Sequence, residues 1–312
     1  MNWRRRATLF GVVLLVLTLG VAGCGQSDND NTNGDDEPQT VSIMIGGSDS
    51  EVNVVTRIAE EYMNANSHVS IAITGGGSGV GISSLIDGDI DIANSSRPMR
   101  DSEIEQVKTN RGEDVYAVRF AVDGVAVIVN EENPVSELTV DQIGAIYRGD
   151  ITNWSDVGGE DRAITLFGRQ STSGTYVFFM ELVVQGEYSP TKRNLGGNAD
   201  IVEAVRTDAG GIGYVAIGYA MEGDKTAPGL KALEVAADDN SPAYTPIVLE
   251  NVTSGDYPLT RPLYQFVAGK PEGAMLDFFL YEVSEAGQQL VLDEGFYPIT
   301  AADREFNKRA LE

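Results

Sequence analysis

The sequence predicts an α/β protein built as two lobes, and three observations support this. Short apolar strands, polar turns and amphipathic helices follow one another three times between residues 41 and 109, which is typical of a parallel sheet with packed helices. Residues 115–130 form a β-prone run, broken at Asp123 and Gly124, that is too long for one ordinary strand. The chain has 312 residues, 42% of them hydrophobic, which suits two compact lobes or one large domain.

The predicted elements assign the chain to the two lobes. In the first lobe we expect strands at 41–45, 69–73 and 90–93, each followed by a helix. Residues 115–130 then cross into the second lobe, with strands at 164–167, 211–217 and 230–235 and helices at 140–147, 176–184 and 199–207. The turn-rich segment 244–260 returns the chain to a first-lobe strand at 261–268, followed by helices at 272–284 and 287–292. The predicted lobes are residues 41–122 plus 249–312, and residues 123–248.

The N-terminus has the pattern of a lipoprotein leader. Three arginines at positions 4–6 precede an apolar run at 9–19 and the sequence Val21-Ala22-Gly23-Cys24, which predicts a signal peptide over 1–23 and lipidation of Cys24. An ordinary signal peptide with an incidental cysteine is the alternative, and the run is short for a membrane-spanning helix of about 20 residues. Residues 24–40 are polar and acidic, as expected for a disordered tether.

Charge and composition exclude several classes of function. The formal net charge is −25, which argues against nucleic acid as a partner. Cys24 is the only cysteine and His68 the only histidine, so we expect no internal disulfide and no zinc site. His68 lies in a polar connection before a strand, where a surface position is expected. No catalytic acid pair can be identified, and we expect no enzyme activity, metal or cofactor.

Four turns carry the hydroxyl, glycine and arginine residues that an oxyanion site requires. The first N–H groups of a helix are free and favour negative charge, and arginine suits a tetrahedral oxyanion. Each turn alone could be an ordinary helix cap, but together they could surround a dianion. These turns are Ser48-Asp49-Ser50, Ser78-Gly79, Ser95-Ser96-Arg97, and Arg169 with Ser173-Gly174-Thr175.

The glycine-rich segment 75–81 matches no nucleotide or hydrolase motif. No Gly-Lys-Ser/Thr follows, as a P-loop would require, and Val80 stands where the dinucleotide pattern needs glycine. The same valine excludes the G-x-S-x-G motif. We therefore expect a close approach of the backbone, with Ser78 at the start of a helix.

These motifs resemble the periplasmic phosphate-binding family, the substrate-binding lipoproteins of the high-affinity phosphate ABC transporter. The resemblance covers residues 41–306 and is most specific at 47–50, 75–81, 91–97 and 167–179. It implies a type II periplasmic-binding-protein fold, in which two α/β lobes joined by crossover strands hold a ligand in the cleft between them. It further implies an extracytoplasmic protein, held to the cell membrane by its lipid, that captures inorganic phosphate as a monomer and delivers it to permease subunits.

Matching the family's motifs to this sequence implies a set of phosphate-binding residues. Some relatives have an aspartate in the third turn that accepts the proton of hydrogen phosphate, whereas this chain has Ser95-Ser96-Arg97. Asp49 could take that role or be a plain helix N-cap, and Asp123 is a weaker candidate. Sulfate, phosphonate or a metal oxyanion therefore remains an alternative ligand, and a secreted phosphoester hydrolase a more distant one. The implied ligand residues are Ser48, Asp49, Ser50, Ser78, Gly79, Ser96, Arg97, Arg169, Ser173, Gly174 and Thr175.

Overall fold

The computed structural model describes residues 40–312, which form one compact unit. The predicted leader over 1–23, the lipidation site Cys24 and the tether before residue 40 lie outside the described residues. Within this part of the chain, no helix combines the length and the apolar character needed to cross a membrane.

The first stretch alternates strands and helices. The first helix buries residues 54, 55, 58, 59 and 62. These apolar residues recur at helical spacing and so form the face that packs on the sheet. The elements are β1 (Val41–Gly47), α1 (Val52–Ala65), β2 (Val69–Thr74), α2 (Ser78–Asp87), β3 (Ile92–Ser95), α3 (Asp101–Arg111) and β4 (Val115–Gly124).

The middle stretch builds a second sheet with its own helices. Its elements are β5 (Ala126–Asn130), β6 (Glu137–Thr139), α4 (Val140–Arg148), β7 (Thr165–Arg169), α5 (Gly174–Phe179), β8 (Arg193–Leu195), α6 (Asn198–Thr207), β9 (Gly211–Val215), α7 (Ile217–Ala220), β10 (Met221–Glu222), β11 (Lys225–Thr226), β12 (Leu230–Ala232), β13 (Glu234–Ala236) and β14 (Ala243–Tyr244). A 3₁₀ turn covers Trp154–Val157, and α5 continues as a π-helical turn over Met180–Val184.

The last stretch returns to the first sheet. It contains α8 (Leu249–Thr253), β15 (Thr260–Ala268), α9 (Gly273–Glu282), α10 (Glu285–Asp293) and α11 (Ala301–Leu311). The first sheet has the order β2-β1-β3-β15-β4, with β1 parallel to β2 and β3, and β15 antiparallel to β3 and β4. The second sheet has the order β12-β5-β9-β7-β8, with β7 parallel to β8 and β9.

The two sheets are the centres of two α/β lobes, which we call the first and the second lobe. The chain passes from the first sheet to the second between β4 and β5, at Val125, whose N–H donates to the carbonyl of Leu259 at 2.9 Å. Leu259 belongs to the segment that returns the chain to the first sheet before β15, so the two crossing segments lie side by side. This is the two-lobed α/β architecture that the sequence predicts, while the residue boundaries of the lobes stay a prediction.

Several predicted elements differ from the observed ones. The strand expected over 230–235 is two strands, because β12 pairs with β5 whereas β13 pairs with β6. The prediction missed α11. A capping box was its signal in the sequence: Thr300 accepts the N–H of Asp303, and the Asp303 side chain accepts the N–H of Thr300.

Candidate functional site

Hydroxyl side chains from the ends of four strands are buried together in the cleft. Ser48 and Ser50 follow β1, Ser78 begins the helix after β2, and Ser96 follows β3. Parallel strands bring their carboxyl ends to the same edge of a sheet, where ligands bind in open α/β sheets. From the second lobe come Ser173 and Thr175, between β7 and the first turn of α5. All six side chains are at most 2% exposed.

The first-lobe serines bind one another. Ser48 Oγ donates to Ser96 Oγ at 3.1 Å, and Ser78 Oγ lies 3.2 Å from Ser96 Oγ. The N–H of Ser96 donates to Ser78 Oγ at 3.1 Å. A hydroxyl can donate and accept at once, so this cluster can turn its hydrogens toward an anion without leaving a serine unsatisfied.

The N-terminus of α5 packs directly on these serines. A Cβ added at Gly174 would lie 2.3 Å from Ser78 Oγ and 2.7 Å from Ser96 Oγ, so only glycine fits there. Ser173 caps the helix by accepting the N–H of Tyr176 at 3.3 Å. The N–H groups of Gly174 and Thr175 belong to the first turn, where no helical carbonyl can accept them.

The glycine-rich segment makes the close approach that the sequence predicts. Gly77 has a φ of +98°, and a Cβ there would lie 2.6 Å from the carbonyl oxygen of Thr172 in the second lobe. The N–H of Gly79 donates to that same oxygen at 2.9 Å. Together with the contact between Ser50 Oγ and Thr175 Oγ1 at 3.0 Å, these contacts hold the lobes closed on each other.

Arg169 ends β7 and brings its guanidinium into the cleft. Its side chain is 1% exposed, and its Nη2 donates to Asp49 Oδ2 in the first lobe. Its Nε–H is buried and has no hydrogen-bond partner among the described residues. An unpaired buried donor is costly, and an anion in the cleft is the kind of group that would satisfy it.

Asp49 is not the helix N-cap that the sequence offered as an alternative. The N-cap of α1 is Glu51, with no capping side-chain bond. Asp49 Oδ1 instead accepts the N–H of Gly76 at 2.8 Å, and its main-chain carbonyl accepts the hydroxyl of Tyr219 at 2.8 Å. Asp49 therefore links the first turn, the glycine-rich turn and the second lobe.

The guanidinium of Arg97, expected to contact the anion, is bound to residues of its own lobe. Its Nη1 donates to Glu103 Oε2 at 2.8 Å and to the Pro98 carbonyl at 2.9 Å, and its Nη2 donates to Glu103 Oε1 at 2.7 Å. Burial raises the pKa of Glu103, but the hydrogen bonds from Arg97 and from the N–H of Arg100 outweigh it and hold that pKa below the usual value. Arg97 thus anchors α3 to the third turn.

Arg261, which the sequence analysis did not single out, reaches the hydroxyl cluster. Its Nη1 donates to the Ser96 carbonyl at 3.0 Å and its Nη2 to Thr175 Oγ1 at 2.9 Å, so it contacts both lobes. Its Nε and Nη2 bind Asp123 Oδ2 at 3.0 and 2.8 Å, and Asp123 Oδ1 accepts the N–H of Ile217. The sequence contained a signal for this buried pair, namely an arginine near the start of a largely apolar strand, because a buried cation requires an acidic partner.

Two carboxyl groups without an ion pair lie inside the first lobe. Burial raises the pKa of Glu51 well above its usual value, although Ser48 and Arg261 act in the opposite direction. Burial also raises the pKa of Glu282, and the neighbouring Glu51 raises it further. No oxygen of either carboxyl has a hydrogen-bond partner among the described residues. The charged form of both side chains is therefore disfavoured.

The remaining predictions concern the histidine and metal binding. His68 is exposed, just before β2. Residues 40–312 contain no group of three or more histidine, cysteine or acidic side chains that could hold a metal ion.

The closed cleft between two α/β lobes, lined with hydroxyls, helix N–H groups and arginine, defines a class: the two-lobed, periplasmic-type solute-binding proteins. Residues 33–286 match the PBP superfamily domain. The chain belongs to this superfamily and, within it, to the periplasmic phosphate-binding protein family, as the following relatives show.

The phosphate-binding protein PstS of Pseudomonas aeruginosa is 34% identical over 274 residues, covering 82% of each chain. The protein of the same name from Bacillus subtilis is 28% identical over 293 residues, covering 92% of this chain and 91% of its own. A Clostridium perfringens protein whose crystal structure holds bound phosphate has a TM-score of 0.73 and 29% identity. It covers 83% of this chain and 100% of its own.

Proposed function

We propose that this protein is an extracytoplasmic receptor that captures inorganic phosphate between its lobes and delivers it to the permease of an ABC transporter. The observation that carries the proposal is the buried arginine of the cleft. Within residues 40–312, the Nε–H of Arg169 has no hydrogen-bond partner. It lies beside the hydroxyl cluster that Gly174 joins to the second lobe. The names of the relatives support phosphate as the ligand.

The proposed ligand groups are those that the structure brings together. Ser48, Ser50, Ser78 and Ser96 act from the first lobe, whereas the N–H of Gly79 is bound to the Thr172 carbonyl and joins the lobes instead. Arg169, Ser173, Gly174 and Thr175 act from the second. Arg97 is left out because Glu103 binds its guanidinium, and Arg261 supports Ser96 and Thr175 without contacting the anion. Hydroxyl and N–H donors satisfy the phosphate oxygens, and charge-assisted bonds of this kind contribute about 1.5–3 kcal/mol each.

Asp49 remains the proposed acceptor for the proton of hydrogen phosphate. Its Oδ2 accepts from Arg169, and a carboxylate oxygen can accept a second hydrogen bond. Asp123 is less suited, because it already accepts three hydrogen bonds, two from Arg261 and one from the N–H of Ile217, whereas Asp49 accepts two. An acceptor at this position separates protonated phosphate from sulfate, since sulfate would leave it unpaired.

Titration calorimetry of the purified protein with phosphate, arsenate and sulfate tests this function. We expect phosphate and arsenate to bind, and sulfate to bind more weakly. Sulfate binding more tightly than phosphate would assign the protein to another oxyanion. No heat with any of the three anions would overturn the proposal.

We also propose a hinge at the two crossing segments. The lobes would comprise residues 41–122 plus 249–312 and residues 123–248, and the contacts from Gly79 to Thr172 and from Ser50 to Thr175 would form only on closure. Ligand shifts this balance through contacts made in the closed state alone. Small-angle scattering should show compaction on adding phosphate, and an unchanged radius of gyration at saturation would argue for a rigid cleft.

We further propose that the protein acts as a monomer, held to the membrane by lipid on Cys24, and that it binds its ligand without covalent chemistry. The support for the anchor is the leader sequence alone, Val21-Ala22-Gly23-Cys24. Cys24→Ser should release the protein from the membrane fraction with phosphate binding intact. Membrane association equal to that of the wild type would contradict the anchor.

A further inference from the structure

Lys192 lies behind Arg169 with its ammonium group enclosed. The residue is 8% exposed. Its Nζ donates to the main-chain carbonyl of Arg169 at 3.0 Å and to the side-chain oxygen of Asn194. It also lies 4.5 Å from the ring centroid of Tyr188 and 5.1 Å from that of Tyr176, within the range of cation–π attraction.

The main chain of Arg169 is held on both sides. Its N–H donates to the hydroxyl of Tyr214 at 3.2 Å, while its carbonyl accepts from Lys192. The hydroxyl of Tyr188 in turn lies 3.2 Å from that of Tyr214 and donates to the Tyr176 carbonyl at 3.1 Å. This network determines where β7 ends and so where the arginine side chain enters the cleft.

The charges of the site otherwise cancel. Arg169 is paired with Asp49, Arg261 with Asp123 and Arg97 with Glu103. Burial disfavours the charged form of Glu51. Lys192 forms no ion pair with a carboxylate anywhere in residues 40–312. It is the positive charge left over next to a site that is otherwise neutral.

We propose that Lys192 is a positioning residue of the phosphate site, which fixes Arg169 and supplies the net positive charge that a dianion requires. This inference rests on the proposed function. It also explains why the fold keeps a cation buried without a carboxylate: burying an unpaired charge is costly, and a bound dianion offsets that cost.

The proposal makes affinity and stability change in opposite directions with pH. Burial lowers the pKa of Lys192 to about 8 from its ordinary 10.5. The titratable groups facing it are Tyr176 and Tyr188, and Tyr214 is bonded to Tyr188. Burial raises the pKa of Tyr188 far above its usual value and that of Tyr214 to about 12.

Between pH 8 and 10.5, Lys192 keeps its proton in the unfolded chain but loses it in the folded protein. The free energy of unfolding therefore rises with pH over this range. Phosphate affinity should fall over the same range, because the anion favours the charged form. A purely structural lysine would show the change in stability without the change in affinity.

The experiment measures phosphate affinity by calorimetry from pH 8 to pH 10, where the charge of phosphate itself does not change. Wild type should lose affinity as the pH rises. Lys192→Met should bind about tenfold more weakly at pH 8, in the range of ordinary coupling between neighbouring sites, and should show no pH dependence. Lys192→Arg keeps its charge throughout and should hold its affinity to the highest pH.

Lys231→Met is the matched control, because Lys231 is also partly buried with a lowered pKa and donates to a main-chain carbonyl, that of Asn133, elsewhere in the second lobe. It should retain the wild-type profile. A wild-type affinity that does not fall from pH 8 to pH 10, or a Lys192→Met profile equal to that of wild type, would overturn this inference while leaving the proposed function standing. Failure of the wild type to bind any oxyanion would overturn both.

Discussion

Two arginine–aspartate pairs border the hydroxyl cluster, and they are built in different ways. Arg261 and Asp123 lie opposite each other in the register of β15 and β4, and their side chains are 3% and 0% exposed. Arg169 and Asp49 come from different sheets and meet across the cleft, where Asp49 is 22% exposed. One pair forms within the first sheet, whereas the other joins the two lobes.

This difference indicates that one pair supports the structure, whereas the other can take part in ligand binding. A buried pair cannot exchange its partner for water without a large cost, so Arg261 and Asp123 form a fixed support under Ser96 and Thr175. A pair that reaches water can exchange partners at little cost. Arg169 and Asp49 can therefore rearrange around an incoming anion, and this pair is where selectivity should lie.

The largest expected effect comes from breaking the buried pair. Asp123→Ala leaves Arg261 buried without its partner and should lower the free energy of unfolding by about 3–5 kcal/mol, measured by urea denaturation. Asp49→Ala, at the cleft pair, should cost less, because the Asp49 carboxylate is 22% exposed and solvent partly screens the contact that is lost. Equal losses in the two variants would show that the pairs do not differ as their burial indicates.

Arg169→Ala should have the largest effect on ligand binding. We expect phosphate affinity to fall by about 2–5 kcal/mol, the usual result of removing one partner of a buried charged contact. Arg97→Ala is the control, because its guanidinium is bound to Glu103, and it should leave affinity almost unchanged. Calorimetric titration of both variants decides this. Comparable losses would return Arg97 to the site.

Glu51, next to the buried pair, should make stability depend on pH. The folded protein keeps this proton above the usual pKa of 4.5, whereas the unfolded chain releases it, so stability falls as the pH rises above that value. Glu51→Gln should therefore stabilise the protein near neutral pH, by about 1–3 kcal/mol for an unpartnered buried group, and the gain should vanish below pH 4.5.

Thermal unfolding across this pH range measures the effect. Glu61→Gln, on the exposed side of α1 and paired with Arg57, is the control and should change little. A variant Glu51→Gln less stable than wild type at neutral pH would mean that the carboxyl is charged and partnered there.

The smallest expected effect concerns selectivity. If Asp49 accepts the proton of hydrogen phosphate, Asp49→Asn should lower the ratio of phosphate to sulfate affinity by about tenfold or less, or about 1 kcal/mol. Competition titration with both anions measures this ratio. An unchanged ratio would leave Asp49 as a link to Arg169 and Gly76 alone, and Asp123 would be the next acceptor to test.

Local patterns in the sequence were sufficient for the order of elements and for most of the cleft. The periodicity of α1, the start of α2 at Ser78, the crossing near Gly124 and the hydroxyl turns after the strands each depend on residues close together in the chain. The partner of Arg97 could also have been predicted from the sequence, because Glu103 lies only six residues further on. The resemblance to a family suggested Arg97 as a ligand residue, whereas this local contact argues against it.

Tertiary structure alone decided which charged groups meet. Arg261 and Asp123 are 138 residues apart and Arg169 and Asp49 are 120 apart, so strand register places one pair and lobe closure the other. Lys192 reaches Arg169 because β8 pairs beside β7. A sequence shows that an arginine or lysine is present. Whether that cation is buried, and which carboxylate, carbonyl or ring lies beside it, follows only from packing between distant segments, and that packing sets the charge which the site offers to an anion.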